Sequence, residues 1–457
     1  MDNLFARAEK TVCAVSTPSG HGGVAMIRVS GRDAVKIVRQ IAAFLPEDPE
    51  SHRVYYGFLE NPQTKKKIDE VLVSYFMKGR SFTNEDVCEI SCHGNPLICD
   101  EILQALVHCG AAIADRGEFT FRAFMNGRLD LTQAESILSL IESQSRSAKS
   151  LALRQLEGHL GEQLDQIEAG LIHLLAHIEA DIDFSTENLE TISRPEASGK
   201  LDRILKDVSR FLQQYEQGRL LREGIHVSFF GLPNVGKSSL FNRLIQREKA
   251  IVTDIPGTTR DVLEGSTTYK GIQIHFFDTA GVRQDAVDRV EKIGIERTHQ
   301  ANRAADISLF VTEATRAMNP EEKEYYQKPL SKHQILVLNK IDLGQPHSDY
   351  QNSSGHLMVS SLNPQSRDVI LDAILEVAGV DFQMEDLAVL SQSRHYDLLS
   401  QAKTHMEEAL RLIVSHQGLE LIALELKSSL LKVQEILGKH YDDQILDQIF
   451  KEFCLGK

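Results

Sequence analysis

The sequence predicts a multidomain α/β plus α protein, with an N-terminal mixed α/β domain, a helical domain split in two, and a P-loop nucleotide domain inserted between the halves. Three observations predict it. Short β-rich runs alternate with helical patterns before about residue 120. Gly-Leu-Pro-Asn-Val-Gly-Lys-Ser at 231–238 is a G-x-x-x-x-G-K-S loop set between an apolar run and a helical pattern. Helical periodicity dominates on both sides of that region, from 132 to about 183 and again from 386 onward. The expected boundaries are therefore 1–120, 121–223, 224–380 and 381–457.

Composition bounds the function. The 457 residues are 42% apolar and 25% charged, as in an ordinary soluble globular protein. A net charge of -15 argues against a protein that coats nucleic acid non-specifically, so any work on RNA needs a local patch or a partner. The first residues lack the basic and long apolar regions of a signal peptide, and no run of 18 apolar residues occurs. A cytoplasmic protein with no membrane segment is expected. Six cysteines in so long a chain then read as reduced thiols.

In the first domain, 11–16, 24–29, 53–58, 71–76 and 87–91 read as strands, and 33–44 and 96–108 as helices. Cys88, Cys92, His93 and Cys99 invite a zinc reading. They lack C-x-x-C spacing, and Cys88 and Cys92 share one strand face, so buried thiols are expected. Residues 115–130, dense in Arg, Phe and Gly with no clean period, read as a loop that is either a domain junction or a binding surface. A stripe then follows through Ile137, Leu138, Ile141, Leu151, Leu156, Leu160, Leu164, Leu171, Leu174, Leu175 and Ile178. Residues 201–217 form a further helix, and 387–414, 419–437 and 442–453 form three more, with Gly418 and Gly438 as breaks.

The nucleotide domain carries the chemistry. Strand 226–230 leads into the glycine loop, whose N–H groups, with Asn234, Val235, Gly236 and Ser239, would surround phosphate at a helix N-terminus. Lys237 would reach the β- and γ-phosphates, and the Ser238 hydroxyl would sit on Mg²⁺, a hard cation that wants oxygen ligands. Strand 272–277 runs into Asp278-Thr279-Ala280-Gly281, which suits metal and γ-phosphate contacts. Strand 334–338 ends in Asn339-Lys340-Ile341-Asp342. A carboxylate such as Asp342 can accept two N–H groups from the edge of guanine, whereas adenine would leave it unpaired. GTP is therefore the expected nucleotide.

Residues 253–261 form a polar segment of the kind ordered by γ-phosphate and Mg²⁺, with Thr259 or Thr258 as metal ligand and Thr253 beside them. Ser360, in Val-Ser-Ser at 359–361, is either a base-contacting residue or an ordinary strand end. Ras-like GTPases orient the attacking water with a glutamine directly after Asp-x-x-Gly, but here that position is Val282. Asn234, with Thr258 and backbone carbonyls, could complete a monovalent-cation site or could simply support the turn. At the C-terminus Cys454-Leu-Gly-Lys457 is no prenylation box, because Gly456 is not aliphatic and Lys457 is not an accepted last residue.

Gly-x-Gly-Gly-Val-Ala-x-x-Arg-Val-Ser-Gly at 20–31, Ser-Phe-Thr-Asn-Glu-Asp-Val-x-Glu at 81–89, His-Gly-Asn-Pro at 93–96 and Arg-Gly-Glu-Phe-Thr at 116–120 occur in order. Leu-Asp-Leu-Thr-Gln-Ala-Glu at 129–135, Gly-Thr-Thr-Arg-Asp inside the nucleotide domain and the terminal Phe-Cys-Leu-Gly-Lys complete the set. Over its full length the chain resembles the MnmE (TrmE) family of tRNA-modification GTPases. The resemblance implies a folate-binding-like N-terminal domain, a discontinuous helical domain and an inserted Ras-like G domain. It implies a homodimer, and a heterotetramer with the FAD-dependent partner MnmG (GidA). Together these would add an aminomethyl-type (carboxymethylaminomethyl) group at C5 of wobble uridine 34 of tRNA, using a one-carbon unit from 5-formyl- or methylene-tetrahydrofolate.

The same resemblance implies folate contacts at Arg28, Glu89, Arg128 and Lys457, where Arg128 stands in place of a lysine common in relatives. It implies K⁺ held by Asn234, Thr258 and the carbonyls of Thr253 and Ile255, Glu291 as the water-orienting carboxylate, and Cys454 as a cysteine required for modification. Two other readings compete. One is a switch GTPase that binds ribosomal RNA during ribosome assembly; the other is a folate-dependent transferase with a vestigial GTPase.

Overall fold

The computed structural model describes residues 9–183, 191–245, 263–278, 305–327, 331–351, 355–381, 389–454 and 456. The chain forms two compact units. The first comprises Met1–Ile141, Arg154–Ser209 and Asp397–Lys457, and the second Glu142–Leu153 and Arg210–Tyr396.

The first unit holds a six-stranded sheet of β1 Val12–Val15, β2 Gly22–Ser30, β3 Arg53–Glu60, β4 Lys67–Phe76, β5 Val87–Gly94 and β6 Ala112–Ile113, in the order β3-β4-β5-β2-β1-β6. All pairs are antiparallel except β1 with β6. Helices Ala34–Arg39 and Pro96–His108 pack on it, burying Ile37, Val38, Ile102 and Leu106 against Ile27, Val73 and Ile90. The second helix starts as its sequence dictates: the Asn95 side chain accepts the Leu97 N–H at 2.9 Å and Pro96 takes the first turn. The expected helix at 33–44 is regular only to Arg39; beyond it Ile41, Ala42 and Leu45 are buried in irregular turns. Cys88, Cys92 and Cys99 are buried thiols, and burial pushes Cys88 and Cys92 up to about 12.

The segment expected to be a loop at 115–130 contains the helix Glu118–Met125. It shows no amphipathic stripe because it is buried all round, with Phe119, Phe121 and Phe124 all inside. Phe121 meets Phe450 of the helix Asp443–Lys451 edge to face, at 5.3 Å between ring centroids.

The long stripe after 131 is three helices, Leu131–Glu142, Arg146–Leu156 and His159–Asp183. The Ser145 hydroxyl accepts the Ala148 N–H and starts the second; Gly158, at φ +94°, separates it from the third. The third packs along Leu419–Leu437, with Leu160, Leu164 and Leu171 buried, and Lys439 joins Asp165 at 2.8 Å. Gly456 lies against the end of β1: a Cβ there would sit 2.2 Å from the Val15 carbonyl oxygen.

The second unit holds a sheet of β7 Ile225–Phe230, β8 Leu263–Tyr269, β9 Ile272–Asp278, β10 Ile307–Glu313, β11 His333–Asn339 and β12 His356–Met358. Its order is β12-β11-β10-β7-β9-β8, parallel except for β8, which joins β9 as a hairpin through Lys270 and Gly271, both at positive φ. Val227, Phe229, Ile274, Phe276, Leu309 and Val337 are buried against Leu240, Leu244, Ile370 and Ile374 of the helices Lys237–Leu244 and Ser366–Ala378. The expected nucleotide domain at 224–380 lies inside this unit, which also takes in 142–153, 210–223 and 381–396.

Candidate functional site

β7 has β10 on one side and β9 on the other, so the sheet's direction of growth reverses there. In an open parallel sheet that is where a crevice opens beyond the strand carboxyl ends. The phosphate loop occupies this place, between β7 and the helix Lys237–Leu244. Its backbone needs its glycines: Gly231 has φ +138° with the Val311 carbonyl oxygen 2.1 Å from where a Cβ would lie, and Gly236 has φ +98° with the Asn339 amide 2.2 Å away. Asn234 also takes the left-handed conformation, φ 64°. Lys237 is buried, and its ammonium donates to the carbonyls of Gly231 at 2.9 Å and Leu232 at 2.7 Å. A cation is thus held in the loop's concavity, which suits a polyanion. Ser238 and Ser239 are exposed at the helix start.

The loop after β11 is fastened to this cradle. Asn339 is fully buried; its amide donates to the Val235 carbonyl at 2.9 Å and accepts the Ser361 N–H at 3.2 Å. Lys340 stands at φ 66° with its ammonium 3.5 Å from Glu313. Asp342 accepts the Ser360 hydroxyl at 2.5 Å. The structure therefore brings Asn234, Val235, Gly236, Lys237, Asn339, Asp342 and Ser360 into one set of loops beyond the strand carboxyl ends.

Thr253, Ile255, Thr258, Thr259, Thr279, Ala280, Gly281 and Glu291 lie outside the described residues, as does Lys457; Asp278 closes β9. Sequence reasoning missed Arg243, which donates to the carbonyls of Ser361 and Leu362, and Ser366, whose hydroxyl accepts the Ser360 N–H. Arg243 lies 118 positions from Ser361, too far for any local pattern to signal the contact.

In the first unit, Arg28 and Glu89 face each other in register across β2 and β5 and pair at 2.8 Å. The guanidinium groups of Arg28 and Arg128 each lie 5.2 Å from the centre of the Phe82 ring. Arg128 donates to the Ser81 carbonyl at 2.9 Å, and among the described residues no carboxylate pairs with it. Burial, and next the Arg28 charge, hold Arg128 below the ordinary arginine range. A largely exposed cation beside an aromatic ring, with no carboxylate to neutralise it among the described residues, suits a flat anionic ligand. Cys454 is exposed, two residues before the docked Gly456.

A phosphate cradle at the sheet's switch point, fastened to the Asn339–Asp342 loop, defines a nucleotide-binding protein of the P-loop class. A family model described as MnmE helical domain matches residues 131–454, and one described as GTP-binding protein TrmE N-terminus matches 11–128. The tRNA modification GTPase MnmE of Bdellovibrio bacteriovorus is 46% identical over 473 residues, covering 99% of this chain and 98% of that protein. That of Natranaerobius thermophilus is 38% identical, covering 98% of this chain and 100% of that protein. The chain belongs to the MnmE family. The Aquifex aeolicus Era structure matches 40% of this chain and 67% of its own at 28% identity, with a TM-score of 0.28, and adds nothing to that assignment.

Proposed function

We propose that this chain is a GTPase acting in tRNA modification, and that with an FAD-dependent MnmG partner it adds the aminomethyl-type group at C5 of wobble uridine. The observation that carries the reading is the joint occurrence, in a chain its family relatives match almost end to end, of a phosphate loop fastened to the Asn339–Asp342 loop with a cationic, ring-lined site in the N-terminal domain. The competing ribosomal-RNA switch loses its ground, because the family relatives match from end to end and not over the nucleotide unit alone.

Lys237 and the loop N–H groups hold the triphosphate, and Asp342 reads guanine. Ser238 and Thr259 would hold Mg²⁺, which would offset the charge of the phosphates. Asn234, Thr258 and the Thr253 and Ile255 carbonyls would hold K⁺. Since Val282 cannot orient water, Glu291 takes that part. Arg28, Glu89, Arg128 and Lys457 would hold a tetrahydrofolate derivative, the one-carbon donor, with Cys454 close to the docked tail. Exposed Val54, Tyr56, Phe58 and Leu72 make an apolar patch on β3 and β4 that supports a homodimer through the N-terminal domain. Among the described residues no helix is long and apolar enough to cross a membrane.

GTP turnover measured in K⁺ and again in Na⁺ tests the cation assignment. Hydrolysis is expected to be at least about tenfold faster in K⁺, the effect of placing one fixed charge at the transferring phosphoryl group. Equal rates would remove Asn234 from that role.

A further inference from the structure

We infer that Arg243 is a positioning residue for guanine, acting through the 360–362 loop. The inference rests on the GTPase reading above. Arg243 lies on the helix Lys237–Leu244, the helix that carries the phosphate-binding lysine at its start. From there its Nε donates to the Ser361 carbonyl at 3.0 Å and its Nη2 to the Leu362 carbonyl at 3.3 Å. One planar fork thus grips two successive backbone oxygens, a geometry that a point charge on a flexible stem does not reproduce.

The rest of the loop's support comes from the base side. The Ser360 N–H donates to the Ser366 hydroxyl at 3.1 Å, the Ser361 N–H to Asn339 at 3.2 Å and the Leu362 N–H to the Ser360 hydroxyl at 3.2 Å. That Ser360 hydroxyl in turn donates to Asp342 at 2.5 Å, so the loop's placement sets how the guanine-reading carboxylate is presented. Leu362 is 72% exposed, so no apolar packing secures the loop's far end. Arg243 secures it, and ties it to the element that holds the phosphates.

Contacts to the base are the same before and during phosphoryl transfer. A residue that acts only through them changes binding and leaves the chemical step alone.

The test compares full-length wild type with Arg243→Ala and Arg243→Gln, measuring the Kd for GDP and both kcat and KM for GTP. Arg243→Ala is expected to raise the Kd and the KM about tenfold, the loss of a charge-assisted pair of hydrogen bonds, with kcat at saturating GTP within about twofold. Arg243→Gln keeps one donor and cannot span both carbonyls, so it should fall between; it carries the test if the alanine variant does not fold. A purely structural role would lower kcat or the active fraction and leave KM in place. Wild-type Kd in the variants, or a fall in kcat at constant KM, overturns the inference. Failure of the wild type to prefer GTP over ATP would instead refute the GTPase reading itself, whatever the variants do.

Discussion

Gly456 has φ +84°, and a Cβ there would lie 2.2 Å from the Val15 oxygen and 2.9 Å from the Ser16 Cα. Val15 is paired with Ile27 in β1 and β2, so that backbone is not free to retreat. Alanine therefore cannot be accommodated with the tail in place, and Gly456→Ala should lift off the segment that carries Cys454. The expected outcome is loss of most wobble-uridine modification with GTP hydrolysis unchanged. Normal modification in that variant would show that the docked tail has no part in the chemistry. Residues such as Gly456 are visible in the sequence only as letters; the need for glycine arises from a strand some 440 positions away, so sequence spacing alone does not reveal it.

At the scale of elements, legibility followed periodicity. The Pro96–His108 helix was readable because an Asn-Pro start precedes a regular apolar pattern, and β7 because a loop motif follows it. β10 was not separated out: Ile307–Glu313 is buried on both faces and so lacks the alternation that marks a half-exposed strand. The Glu118–Met125 helix was lost for the same reason in helical form. The phosphate and base loops were legible because each is contiguous in sequence, whereas Arg243 and the Arg128–Phe82 stack join residues that only folding brings together.

The foot of the second sheet offers a test at this scale. His275 on β9 stacks on His226 of β7 at 5.2 Å between ring centroids, and Asp306, Arg219 and Glu223 surround the pair. Burial, and next the His226 neighbour, hold His275 below the ordinary histidine range, against a smaller opposing hydrogen bond to the Glu223 backbone. For Asp306 burial alone would raise the carboxyl, but the hydrogen bonds from His226 and the Arg219 charge outweigh it. An imidazole held neutral in the fold gives stability that is complete above the unfolded pKa of about 6.5 and is lost as the pH falls below it, because there the unfolded chain binds more protons. The melting temperature of the full chain should therefore drop between neutral pH and mildly acidic pH, and His275→Phe, which keeps the stack, should drop less. Equal slopes would mean that His275 is not the acid-sensitive group.

For the whole molecule, each of the four places where the chain passes between the two units falls within a helix, in Leu131–Glu142, Arg146–Leu156, Arg194–Glu223 and Ser393–Val414. A continuous helix transmits a rotation or a shift along its axis better than a loop does, and a nucleotide-dependent change in the inserted unit would have these helices as routes to its host. That is the route by which the proposed function would couple GTP turnover to tRNA modification. The coupling claim is tested most directly by mass spectrometry of wobble uridines in cells lacking this chain, complemented with wild type or with Lys237→Ala. The account predicts loss of the C5 substituent without the chain, recovery with wild type and no recovery with Lys237→Ala; wobble uridine that keeps its C5 substituent in all strains, with ribosomal precursors accumulating instead, would contradict it.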